Sequence, residues 1–216
     1  METASDVTQI RIGDIVYGTW GHKSTHVVEE GFAREHLLPQ GLDPLCGIYS
    51  QMGSIALNAI LDADIHVGET VVVFGQGVPG QIAAQLARLN GAFVVAVDLD
   101  DERLAASARL GADVTLNSSR CDVAAEVRKL TGGRGADICV EFTGFTPALH
   151  DAIRTAAYNG RVVSAGFYQG EARGLYLGEE FHHNRVQIVC SQIQAVSPAL
   201  SYRWNRLRLE QTIMEL

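Results

Sequence analysis

Between Thr70 and Asp98 the chain reads TVVVFGQGVPGQIAAQLARLNGAFVVAVD, and few folds accommodate such a segment. An apolar run is followed by a glycine-rich turn, then by Ile82, Leu86 and Leu89 at helical spacing, then by a second apolar run. The order predicts strand, loop, helix, strand. Gly75-x-Gly77-x-x-Gly80 falls where the first strand ends and the helix begins. Gly75 permits a tight turn, Gly77 has no Cβ to block a diphosphate, and Gly80 lets the helix pack close to the strand. The loop backbone from Gln76 through Val78 then meets the diphosphate with unpaired N–H groups and the positive end of the helix dipole. Pro79 near the first turn costs little, because its missing N–H would have had no partner inside the helix. Asp98, 23 positions after Gly75, ends the second strand. A carboxylate there accepts from ribose hydroxyls and repels a 2′-phosphate, which favours NAD over NADP. Leu99 beside it and Arg103 five positions on complete the candidates in this unit; Arg103 either reaches the ribose or stays in solvent. A G-x-G-x-x-G alone is only a turn. Strand before, helix after and an acid at this spacing make it a dinucleotide motif. The nearest rival is an S-adenosylmethionine-dependent methyltransferase, which also uses a glycine loop and an acid ending its second strand. The third glycine and the downstream pattern favour the dinucleotide.

After Gly68 apolar runs alternate with amphipathic stretches at βαβ spacing. Strands are predicted at Val71–Phe74, Phe93–Val97, Val114–Leu116, Asp137–Phe142, Arg161–Ala165 and Val186–Cys190. Runs this apolar suit strands covered on both faces, as in a parallel sheet. Helices are predicted over Pro79–Leu89, Asp101–Leu110, Asp122–Leu130 and Pro147–Tyr158, with a further one at Met52–Asp62 ahead of the first strand. Six strands in this order give an α/β, doubly wound, parallel Rossmann sheet. Upstream, Ile10 to about Val28 alternates in short stretches between glycine turns, which predicts small antiparallel strands. Pro39, Gly41 and Pro44 break the chain between the two regimes. After Ser191 the pattern lapses, and no finishing element is evident before Leu216.

Composition excludes several classes. The net charge of −8 opposes sequence-independent nucleic-acid binding and docking on anionic lipid. No apolar run approaches the roughly 20 residues of a membrane helix. The opening METASDVTQI has neither the basic region nor the apolar stretch of a secretory signal. Cys46, Cys121, Cys139 and Cys190 are far apart and read as free thiols. The expectation is a cytoplasmic globular protein with no nucleic-acid or membrane partner.

Four phrases in series resemble one family: GETVVVFGQGVPGQIAAQLARLNGA, VDLDDERLAASARLGAD, LTGGRGADICVEFTG and GRVVSAGFY. The family is the medium-chain dehydrogenases/reductases, also called zinc-type alcohol dehydrogenases. GDIVYGTWGHKSTHVV upstream is similar to the closing strands of that family's chaperonin-10-like catalytic domain. The resemblance implies three parts. Residues 1–45 would be the remnant of the catalytic β domain and its linker, 46–192 the dinucleotide-binding domain, and 193–216 the start of the return to the catalytic domain. It also implies further cofactor contacts at Phe142 and Thr143, at Ala165, Gly166 and Phe167 beside the nicotinamide, and at Ser191 and Ile193 near its carboxamide. The implied activity moves a hydride between a nicotinamide cofactor and a small alcohol or carbonyl substrate. The implied assembly is a homo-oligomer paired through the sixth strand. The segments that hold most catalytic-zinc ligands and the proton-relay hydroxyl in the family have no counterpart here. The chain therefore resembles the cofactor-binding fragment of a longer enzyme: zinc is expected only in the full-length parent, no catalytic residue is assigned, and the fragment should bind dinucleotide without turnover. A non-catalytic dinucleotide-binding module is the alternative.

Other candidates are declined. Cys46 lies near where some relatives place a zinc-binding cysteine, but catalytic zinc needs three protein ligands, so no metal site is assigned. Cys139 and Cys190, within strands, read as buried small apolar residues. His22 and His26 read as solvent or interdomain groups, and His182 and His183 as a polar loop. Arg203, Arg206 and Arg208 read as a solvated helix face. Asp137 and Glu141 flank the fourth strand; paired carboxylates can do acid–base work, but the strand pattern of the family already explains them.

Overall fold

The computed structural model describes residues 3–216. Six parallel strands lie in the order β3-β2-β1-β4-β5-β6: β1 Thr70–Phe74, β2 Phe93–Asp98, β3 Val114–Asn117, β4 Ala136–Glu141, β5 Ala156–Ser164 and β6 Gln187–Cys190. The apolar runs of the inner strands β1, β2 and β4 are buried on both faces, whereas β3 is half-buried and β6 largely exposed at the two sheet edges. Val71 and Val73 point into one core with Val94, Ile138, Val140 and Val163. Val72 and Phe74 point into the other with Val95, Val97, Cys139 and Val162. That is the two-residue period of a pleated strand.

Helices α2 (Ser50–Ala63) and α3 (Val78–Leu89) cover the first face. Helices α5 (Val123–Leu130) and α6 (Thr146–Thr155) cover the second, and α4 (Asp101–Arg109) packs on β2 and β3. Asp100 and Asp122 cap α4 and α5 by accepting from first-turn N–H groups. At the start of the sheet Asp137 accepts from Thr70 N at 2.8 Å and pairs with Arg134. It pins the beginning of β1, whereas Glu141 stands at the far end of β4. The two carboxylates are a strand apart and form no acid–base pair.

The helix expected to reach Tyr158 ends at Thr155, and β5 begins at once. Ala156 leaves the helix at φ −64°, ψ 144°, Asn159 adopts a left-handed φ of 59°, and a Cβ on Gly160 would lie 2.8 Å from Ala157 O. The extra residues are taken up by a shift in register, from Ala136↔Ala156 to Ile138↔Arg161.

The two ends of the chain depart most from expectation. No run of antiparallel strands forms over Ile10 to Val28; the pairing there is an isolated bridge, Val16↔Leu37, followed by α1 (Glu30–Glu35) and a 3-10 turn at Pro44–Tyr49. A short strand without neighbours cannot satisfy its backbone or bury its apolar face, and Ile12 and Val27 stand exposed. At the other end a short helix α7 (Glu180–His183) precedes β6, and a finishing helix does form, α8 (Arg206–Glu215). It buries Leu209 against α2, where Gly53 admits Ile213 so closely that a Cβ would sit 2.3 Å from it. From there α8 reaches back to residue 36: His36 Nε2 and Glu210 Oε2 are 2.9 Å apart, both buried.

Candidate dinucleotide-binding site

The strand order reverses between β1 and β4, so the chain leaves their carboxyl ends in opposite directions and a crevice opens there. The glycine loop forms its floor. Gly75 has φ 87°, a left-handed turn that favours glycine, and its N–H donates to Val97 O at 2.8 Å. A Cβ on Gly80 would lie 1.7 Å from Gly75 O, so the helix can approach the strand this closely only with glycine there. A Cβ on Gly77 would meet no protein atom within 4 Å. Its open face is a cradle that a side chain would fill. Gly77 is the N-cap of α3, and the first-turn amides of Val78 and Gly80 have no acceptor within the helix. Pro79 sits in that first turn with no N–H to lose. The residues present fit a diphosphate.

Asp98 lies where β2 ends, its side chain 9% exposed. Its Oδ2 accepts from Gln76 N at 2.6 Å, and its Oδ1 accepts from Leu99 N at 2.8 Å and Asp100 N at 2.9 Å. One carboxylate thus ties the glycine loop to the end of β2, with lone-pair capacity left on Oδ2. Arg103 stands 3.9 Å from both Asp98 and Asp100 with an exposed side chain, free to reorient. Leu99 is exposed at the rim, and Val78 is exposed beside the loop. Gln76 is different. Its side chain is fully buried, donating to Val73 O at 2.8 Å and accepting from Ser107 Oγ at 2.9 Å. Its backbone is engaged as well, the N–H on Asp98 and the carbonyl accepting from Gln81 Nε2 at 3.0 Å, so the residue as a whole is buried under the crevice floor.

The ends of β4, β5 and β6 form the other wall. Phe142 N donates to Phe74 O at 2.9 Å, and Thr143 lies close enough to the loop that a Cβ on Gly75 would be 2.8 Å from its methyl. Ala165 N and Gly166 N both donate to Glu141 O at 2.9 Å, while Phe167 projects into solvent at 81% exposure. Ser191 N donates to Ser164 O at 2.9 Å, and Ile193 packs against the α2 side of the core. Buried Asn58 on α2 donates to Ser191 Oγ at 3.2 Å and holds that last segment. Sequence reasoning raised Glu141 only as half of an acid–base pair with Asp137, and it did not pick out Asn58. A lone polar residue in an apolar strand or helix gives no periodic signal.

The declined candidates disperse. Cys139 is buried, and burial pushes its thiol up, but Cys190 lies exposed on the sheet edge, contrary to expectation, because β6 has a neighbour on one side only. Arg203 and Arg208 stack on Tyr202 and Trp204, and Arg206 pairs with Glu210 at 3.0 Å, so the arginines make no shared anion site. His26 lies near Trp20 and Lys23. Among the described residues no three His, Cys, Asp or Glu side chains converge as metal ligands, and Cys46 has no companions. The residues present do not fit a zinc ion.

Comparison with known proteins follows the same outline. Residues 79–205 match the family model described as zinc-binding dehydrogenase. The chain is 39% identical over 220 residues to the D-guloside 3-dehydrogenase of Escherichia coli, covering all of this chain and 62% of that protein. Galactitol-1-phosphate dehydrogenase from Escherichia coli superposes at a TM-score of 0.70 with 22% identity, over 85% of this chain and 53% of that one. A protein from Sinorhizobium meliloti solved with NADP bound superposes at 0.71 with 24% identity, over 85% and 53%. The chain spans less than two thirds of the length of each.

Proposed function

The chain belongs to the zinc-binding dehydrogenase family, and on that premise we propose that it is the part of an alcohol dehydrogenase-like oxidoreductase that binds the nicotinamide cofactor, NAD(H) in preference to NADP(H). The observation that carries this is the crevice floor: an open Gly77, a Gly80 that no other residue could replace, and Asp98 at the end of β2. When bound, the cofactor supplies the hydride that passes to or from an alcohol or carbonyl carbon.

The chain's own residues bind and orient. First-turn amides of α3 take the diphosphate, and the positive end of the helix favours its charge. Asp98 accepts from the adenosine ribose and opposes a 2′-phosphate, with Leu99 and Arg103 flanking. Phe142, Thr143, Ala165, Gly166, Phe167, Ser191 and Ile193 border the nicotinamide half. The protein from Sinorhizobium meliloti holds NADP, so the choice between the two cofactors rests on Asp98.

Residues 46–192 are the dinucleotide-binding domain. Residues 1–45 and 193–216 belong with a catalytic domain whose bulk lies in the part of the relatives that this chain does not span. There we place the polarising group, zinc where the full-length enzyme uses one, so this chain by itself binds cofactor without turnover on its small alcohol or carbonyl substrate. No helix among the described residues is long and apolar enough to cross a membrane. Four free cysteines support a cytoplasmic setting. The exposed edge of β6, with Ile188 and Cys190 both exposed, supports pairing with a second copy. The family match favours neither a methyltransferase nor a non-catalytic module.

Fluorescence titration with NADH, NADPH and S-adenosylmethionine tests this reading. NADH is expected to bind more tightly than NADPH. Binding of S-adenosylmethionine with none of NADH would overturn it. Asp98→Ala should bring the NADH and NADPH affinities together. The ratio is the readout, because loss of the loop's tie affects both cofactors alike; an unchanged ratio removes Asp98 from its role.

A further inference from the structure

Glu141 is wholly buried at the end of β4, yet it is not part of the crevice surface. Its Oε1 accepts from Thr143 N at 2.5 Å and from Thr143 Oγ1. Its Oε2 accepts from Gly144 N at 3.3 Å and from the Tyr168 hydroxyl. Its backbone oxygen takes Ala165 N and Gly166 N. Each of these contacts is with a backbone N–H or a hydroxyl, groups able to donate to a carboxyl or carbonyl oxygen. Six bonds from two separate loops therefore converge on one residue, in a site where an unmade hydrogen bond to a charge is costly.

The two loops fit together through glycine. A Cβ on Gly144 would lie 2.5 Å from Phe167 O, and one on Gly166 would lie 2.3 Å from Gly144 N and 2.9 Å from Glu141 Oε2. There is no slack between residues 142–145 and 165–168, and the carboxylate is the group that spans them. Burial, and then the bond to Glu141, pushes the Tyr168 hydroxyl up, so it remains a donor at neutral pH.

We propose that Glu141, with Tyr168, is a positioning residue for the nicotinamide half of the cofactor: it fixes Thr143 and the 165–168 loop relative to each other while touching no cofactor atom. The inference rests on the dinucleotide reading above and adds a division of labour to it. Asp98 and the glycine loop govern the adenosine and diphosphate, and Glu141 governs the other end.

Binding of NADH and of ADP-ribose to the full chain, measured side by side, separates the two ends, because ADP-ribose carries everything but the nicotinamide. In Tyr168→Phe, which removes one donor and no volume the fold needs, NADH affinity should fall roughly fivefold while ADP-ribose affinity stays within about twofold. The emission gained by bound NADH, a property of the nicotinamide itself, should fall as well. Glu141→Gln, which turns donors of its own toward the loop amides, should cost more, roughly twentyfold for NADH. Equal losses for both ligands in Tyr168→Phe, or no loss for either, overturn the proposal. If Glu141→Gln loses ADP-ribose as well, its fold has failed and Tyr168→Phe decides. An unaltered chain that binds neither ligand contradicts the cofactor reading instead, so the two failures are told apart.

Discussion

The central sheet and the N-terminal segment both carry alternating or continuous apolar sequence, and they fold in opposite ways. In the sheet Val71, Val72, Val73, Val94 and Val95 are completely buried, because each strand has a neighbour and helices cover both faces. In residues 3–45 the equivalent pattern leaves Ile12 at 75% and Val27 at 92% exposure. That segment is held by particular side-chain contacts, one of them with a residue far along the chain. His36 stacks on Phe32 at 3.9 Å, its Nδ1 meets Phe32 O at 2.9 Å, and its other nitrogen meets Glu210 on α8. Burial, then the Glu210 carboxylate, pushes the adjacent Tyr17 hydroxyl up to about 12. The lesson is that an apolar period specifies a strand only where a partner strand exists. Where none does, a few buried polar contacts set the path of the chain.

The sharpest break of this contrast is Gly80→Ala. Its Cβ would meet Gly75 O at 1.7 Å, so the sheet itself should lose at least about 3 kcal/mol by denaturant unfolding, and NADH binding should vanish with it. Glu210→Ala acts on the other region. With His36 and Arg206 left unpaired, about 2 kcal/mol should be lost. Hydrogen exchange should quicken in Glu30–Glu35 and Arg206–Glu215 while Val71–Val73 stay protected. Quickened exchange across the sheet as well would show that the two regions unfold as one. Gly77→Ala is the mildest for stability. Gly77 has φ −69° and open space beyond its Cα, so unfolding should shift by under about 0.5 kcal/mol, whereas NADH affinity should fall about tenfold as the methyl enters the diphosphate's place. A Gly77→Ala chain that binds NADH normally would move the cofactor elsewhere.

The legible parts of the sequence were those whose signal is local. Gly75, Gly77, Gly80 and Asp98 announce themselves by spacing, and the structure brings them to one crevice. Strands β1 to β6 were evident from runs of apolar residues. Gln76 was not fully legible: it lies within the motif, but the inward turn of its side chain toward Ser107 depends on a helix 31 residues away. Glu141 lacked any periodic mark, since its importance comes from donors on two loops. The finishing helix α8 was hidden for a related reason. It is amphipathic only weakly, and its stabilising partner, His36, is 174 residues distant from Glu210. Contacts that cross the chain leave no spacing to read.

The bond from Gln76 N to Asp98 Oδ2 has a consequence for anyone redesigning this protein. The carboxylate that would screen out a 2′-phosphate is also the acceptor that holds the glycine loop, together with the N–H groups of Leu99 and Asp100. Replacing it with a small neutral residue to admit NADP would strip three backbone donors of their partner in a single step. On the proposed reading, cofactor exchange is therefore a two-part engineering problem. A cation for the phosphate must arrive with a substitute acceptor for the loop, and libraries that vary Asp98 alone should recover relaxed binders more readily than reversed ones.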